Sequence, residues 1–136
     1  VARIHVVFVA IYNCMDRVDQ LRAHAELADA ISLAAVGPRH AFRTDVLSAV
    51  GTAAQCEGRF EDARNAFEQA LSVVERVKPP DSLPVALAEL NLAGALAELG
   101  DRRRAERLAT HCVDVFEREL PRGDAKIEQA RALLER

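Results

Sequence analysis

Turn-forming residues in this chain recur every 42 residues, and that spacing limits the possible folds more than any other feature. Gly58 and Gly100 are 42 apart, with Asp16 one period before them; Pro38 pairs with Pro80, and Pro79 with Pro121. In the same register Leu21, Ala63 and Ala105 fall in one column, as do Ala25, Phe67 and Ala109, and Ala28, Ala70 and Cys112. Ahead of the turns Phe8, Val50 and Leu92 align, then Val9, Gly51 and Ala93, then Tyr12, Ala54 and Leu96. A unit of this length that keeps small residues in fixed columns cannot bury its apolar surface alone. Neighbouring copies must stack to complete a core.

Each unit reads as two helices. In the middle one Leu47, Val50, Gly51 and Ala54 follow the i, i+3, i+4, i+7 spacing of one helical face. After a break at Gly58, Phe60, Ala63, Phe67, Ala70, Leu71 and Val74 mark the inner face of a second helix, with Arg64, Glu68 and Glu75 outward. Lys78-Pro79-Pro80 ends that helix, because proline lacks the amide and disfavours helix in the residue before it. Asp81 or Ser82 can cap the next helix, with Pro84 in its first turn; that helix runs to about Leu99. Gly100 breaks it, Asp101 caps its partner through Leu120, and Pro121, Gly123 and Asp124 repeat the stop-and-cap signal before a last helix. In the first unit Val6–Tyr12 is β-branched and aromatic and reads as a strand on propensity alone, whereas the register reads it as helix; the register is followed here. The chain is thus expected to be all-α: an α-solenoid of stacked antiparallel hairpins in a single array over 1–136. Its repeats span about 1–36, 43–78 and 82–120, with a partial repeat or capping helix over 124–136. The first residue, valine rather than methionine, suggests a piece of a longer protein.

These repeats resemble the tetratricopeptide repeat family. Gly51, Gly58-Arg59-Phe60, Ala63, Phe67 and Ala70-Leu71 are similar to its pattern of small and aromatic residues. Leu90-Asn91-Leu92-Ala93, Leu96, Leu99-Gly100 and Ala105-Glu106-Arg107-Leu108 resemble the 42-residue variety of kinesin light chains and bacterial regulators. The first unit matches through Tyr12, Leu21, Ala25 and Ala28 and departs at Asp16, where the pattern has a turn glycine. The resemblance implies a superhelix whose concave groove, lined by the first helix of each repeat, binds a protein or peptide segment. Carried over by position, that groove includes Val6, Ala10 and Asn13, then Asp45, Ser48, Thr52 and Gln55, then Leu87, Leu90, Asn91, Gly94 and Glu98, and finally Gln129 and Leu133. The partner-binding residues expected from it are Asn13, Ser48, Thr52, Gln55, Leu87, Leu90, Asn91, Gly94 and Glu98. Asn91 matches an asparagine that related repeats use to hydrogen-bond a peptide backbone. Almost no cation falls in the groove, and neither Lys78 nor Lys126 does, so the clamp that holds a C-terminal carboxylate in chaperone-binding members is not expected.

The Leu83–Leu99 segment is apolar nearly all round, interrupted by Glu89, Asn91 and Glu98, so it should be covered on more than one side. Either a neighbouring helix of the array or a ligand or self-association contact covers Leu87 and Leu90. With few aromatics in the chain, the hairpin carrying Phe60 and Phe67 is expected to be the best packed.

Little else in the chain points to chemistry. His5, His24, His40 and His111 have no i, i+4 ligand partner, and no phosphate loop, GxGxxG, HExxH or GxSxG occurs; neither metal, cofactor nor catalysis is expected. Cys14, Cys56 and Cys112 lack CxxC spacing and are expected as free thiols in a cytoplasmic protein; a Cys14–Cys56 link between equivalent positions is the less favoured alternative. Arg102-Arg103-Arg104 with Arg107 reads as a solvated face or a contact with another domain rather than a phosphate site. A net charge of −3 argues against nucleic acid, and no apolar run spans a bilayer. The leading function is a non-catalytic scaffold; the alternatives are a ligand-sensing regulatory domain of a larger bacterial protein and a self-association module.

Overall fold

Two of the hairpins close on a glycine with a left-handed backbone, Gly58 at φ 76° and Gly100 at φ 86°. Around Gly58 the amide of Arg59 donates to the Ala54 carbonyl at 2.9 Å and that of Gly58 to Gln55 at 3.0 Å. One period later Asp101 donates to Leu96 and Gly100 to Ala97 in the same pattern, at 2.9 and 3.1 Å. These paired bonds satisfy the last carbonyls of a helix and turn the chain back on itself; a side chain at either glycine would strain them. The two glycines read from the repeat are therefore the hinges of antiparallel hairpins.

The computed structural model describes residues 18–36 and 42–135, and the elements expected before residue 18, with Asn13, Cys14 and Asp16, lie outside these, as does Pro38. Over the described residues the chain forms helices α1 (Val18–Val36), α2 (Phe42–Cys56), α3 (Phe60–Glu75), α4 (Leu83–Glu98), α5 (Arg102–Glu119) and α6 (Ala125–Glu135). No strand occurs among the described residues, and each helix packs on the next. The fold is an all-α helical repeat array. None of the described helices is long and apolar enough to cross a membrane.

Helix starts follow the capping chemistry only in part. Asp101 accepts the Arg104 amide at its side chain, and Asp124 accepts that of Lys126 at 2.8 Å. Ser82 occupies the cap position before α4, but its hydroxyl makes no capping bond; Pro84 in the first turn needs no amide acceptor there.

The columns of small residues become the core. Ala25, Ala28, Ala54, Ala63, Ala70, Ala93, Ala105, Ala109 and Cys112 are all buried, which lets neighbouring helices approach closely. One cluster joins Ala54, Ala63 and Phe67 of the α2–α3 hairpin to Leu92, Ala95 and Leu96 of α4 and Ala105 of α5. A second gathers Ala86 and Leu90 of α4, Cys112, Val115 and Phe116 of α5, and Ile127 and Ala130 of α6. Phe116 is as fully buried as Phe67, while Phe60 is only half-buried, so tight packing is shared by the α2–α3 and α4–α5 hairpins rather than concentrated in the first of them.

At the α1–α2 contact the core is partly polar. Arg43 of α2 is 5% exposed, and one of its terminal nitrogens donates to the Asp29 carboxylate and to the Ser32 hydroxyl, both at 2.6 Å. A buried guanidinium is tolerated only with such partners, and here they fix α1 against α2. Cys56, at the end of α2, is disulfide-bonded, so the expectation of free thiols fails there. Cys112 is free and buried, 3.1 Å from the Ala86 carbonyl, and burial pushes its thiol up to about 12.

Candidate functional site

The first helices of successive hairpins touch each other, α2 against α4 and α4 against α6, whereas the second helices α3 and α5 do not come within 8 Å at their Cα atoms. The array therefore has an inner side of closely set first helices and an outer side on which α3 and α5 splay apart. Both sides carry groups of interest.

On the inner side, Ser48, Thr52 and Gln55 of α2 and Leu87, Asn91 and Gly94 of α4 are half-buried, and Glu98 is exposed. Gln55 and Gly94 face each other across the helix pair: a Cβ built on Gly94 would lie 3.6 Å from Gln55 Nε2. The missing side chain keeps the surface low beside the Gln55 amide. Thr52 spends its hydroxyl on its own helix, donating to the Ser48 carbonyl at 2.9 Å, so it presents chiefly a methyl group. Leu90 corrects the sequence expectation. At 6% exposure it is a core residue, packed with Ile127 and Ala130, and Leu87 lies against the same cluster. The added α6 covers the apolar side of α4. Asn13 lies outside the described residues.

The outer side holds a group that periodicity did not single out as a site. Glu89 of α4 is 7% exposed, and both its carboxylate oxygens lie against His111 Nδ1, at 2.9 and 3.0 Å. The other ring nitrogen, Nε2, meets Asp81 Oδ1 at 2.8 Å. An imidazolium, a donor at both nitrogens, satisfies this arrangement in full. Accordingly the hydrogen bond to Asp81 holds the His111 pKa above its ordinary value, with Glu89 adding to it. Burial holds Glu89 above the usual carboxylate range, and the bond from His111 holds Asp81 below it. The sequence did contain a signal. Glu89 stands four residues after Val85 and three before Leu92, inside the stripe that faces the second helices, where an unpaired charge is costly. Among the described residues no group of three or more histidines, cysteines and carboxylates is placed to hold a metal ion.

The family model for the tetratricopeptide repeat matches residues 43–118, the span from α2 through α5 that carries both surfaces. The chain belongs to the tetratricopeptide repeat family. Members of this family are generally protein-interaction scaffolds, and their helical repeats are typically non-catalytic. No curated protein matches the chain. Among solved structures it is similar to BtubC (BKLC) from P. vanneervenii, with a TM-score of 0.81 at 20% sequence identity over 98% of this chain. That match covers 53% of the BtubC chain, so this tetratricopeptide array spans about half the length of its structural relative. At this identity the likeness concerns the fold, which it supports over nearly the whole array.

Proposed function

We propose that this array is a non-catalytic, cytoplasmic scaffold that holds an extended protein segment along the inner side of α2 and α4. The supporting observation is the Gln55–Gly94 pair, where two repeats join and a glycine leaves an amide side chain accessible beside open backbone. Gln55 and Asn91 supply hydrogen bonds to a peptide backbone, Ser48 and Thr52 line the α2 side, Leu87 gives apolar contact, and Glu98 closes the end of α4. Asn13, which lies outside the described residues, is proposed for the same set by its position in the repeat alone. Leu90 is withdrawn from this set because its side chain is occupied by α6.

The test is a selection of displayed random peptides on the folded chain, followed by affinity measurement against two variants. Gly94→Phe fills the low surface beside Gln55 and is expected to abolish binding, and Asn91→Ala is expected to weaken it about tenfold, the loss of roughly one buried hydrogen bond. Selected peptides that bind both variants as tightly as the parent would overturn the assignment.

A further inference from the structure

We infer that the cleft between α3, α4 and α5, on the outer side of the array, receives an arginine side chain from a partner protein segment. The cleft has a volume of about 400 Å³; Leu71, Val85 and Leu108 form apolar walls, and Glu75, Lys78, Pro80, Glu89 and His111 complete it. It exists because α3 and α5 stand apart with α4 as the floor between them. Leu71 and Leu108 are only half-buried, so apolar surface remains open within it.

The choice of occupant rests on Glu89. An ionised carboxylate offers about four acceptor sites. Among the described residues Glu89 receives one N–H, that of His111, although it is nine-tenths buried. A buried anion with so few donors favours a guest that brings several. The charge of the lining points the same way: Glu75 and Glu89 are balanced by Lys78 and His111 only while His111 is protonated, and Asp81 beyond the imidazole is faced by Arg118. Guanidinium matches both needs. Its planar fork carries five N–H groups, it is weakly hydrated, and its methylene stem lies against apolar side chains, where a compact ammonium keeps its water. A neighbouring apolar residue of the partner would cover Leu71 and Leu108.

This surface lies on the opposite side of α4 from Asn91 and Gly94, two residues along a helix being about 200° apart, so it stands or falls separately from the groove. The probe is acetyl-Arg-Leu-amide, titrated into methyl-labelled protein at pH 7 and followed by NMR at Leu71, Val85 and Leu108, with its citrulline counterpart as a neutral isostere. The expected result is saturable shifts for the arginine peptide with Kd on the order of 1–10 mM, and none for citrulline. Glu89→Gln is expected to weaken binding about tenfold, Glu75→Gln on the exposed rim about twofold, and Asn91→Ala not at all. Equal binding of the citrulline peptide, no saturable shift with the parent protein, or unchanged affinity in Glu89→Gln would overturn the proposal. Because the citrulline comparison uses the unaltered chain, it decides the matter even where Glu89→Gln fails to fold.

Discussion

The α2–α3 and α4–α5 hairpins place different side chains in the same repeat columns. In the first, Gly51 faces Phe67; in the second, the equivalent pair is Ala93 and Ala109. All four are buried, but the Gly51 backbone lies so close to the Phe67 ring that an added Cβ would come within 2.5 Å of it. The second hairpin places its aromatic at Phe116, seven residues after Ala109, against α6. A glycine thus lets the Phe67 ring approach the α2 backbone in the first hairpin, whereas the smaller Ala93–Ala109 pair needs no such gap in the second.

The largest expected effect breaks this arrangement outright. Phe67→Ala should cost about 3–5 kcal/mol and Phe116→Ala a similar amount, measured by denaturant unfolding, since each leaves a cavity in a separate cluster. Ala109→Phe tests the comparison more sharply. It should destabilise by about 3 kcal/mol against Ala93, and the Ala93→Gly, Ala109→Phe double variant should recover at least about 1 kcal/mol of that. An additive cycle would show that the two hairpins are not interchangeable. Gly51→Ala should cost about 1–2 kcal/mol, the clash with Phe67 outweighing the better helix propensity of alanine.

Smaller effects separate the two hairpin starts. Asp101→Ala should lose about 1 kcal/mol because its side chain caps α5, whereas Ser82→Ala should change the unfolding free energy by less than about 0.5 kcal/mol, its hydroxyl capping nothing. The pH dependence distinguishes the hairpins again, because the His111 cluster belongs to α4 and α5. With the folded His111 pKa above its ordinary 6.5, its contribution is complete below pH 6.5 and disappears as pH rises through the folded value. Glu89, also raised, acts with the same sign, losing its contribution as pH climbs above its ordinary 4.5. Thermal melts of the parent chain should therefore decline from pH 6.5 upward, and His111→Gln should flatten that decline. Melts that decline equally in both would detach the histidine from stability. Cys112→Ala should cost about 1 kcal/mol, as much as the loss of the Asp101 cap, and the free thiol should resist alkylation at pH 8 until the chain unfolds, because its pKa is pushed up to about 12.

Spacing alone made the helical hairpins legible, because glycine after the last helical turn and proline beyond it act locally, whatever packs nearby. The columns of small residues were legible for the same reason: close approach needs small side chains at a fixed period. The inner-side residues could be placed on a helix face but not sorted. Leu90 and Leu87 both sit on the side toward the next first helix, and only the packing of Ile127 and Ala130 shows that Leu90 is core. Glu89 and His111 are 22 residues apart and belong to no shared motif, so their meeting depends on how α5 lies across α4.

What the sequence by itself determined is the period, the hairpin hinges at Gly58 and Gly100, and the columns of small residues that became the core. Each follows from backbone conformation or side-chain volume within one or two adjacent helices. What only the tertiary structure decided is which side of α4 remains open, that Arg43 is anchored by Asp29 and Ser32, and that a buried carboxylate faces a cleft between α3 and α5. Those outcomes depend on the angles at which whole helices cross, which sum many weak contacts and leave no local mark in the chain.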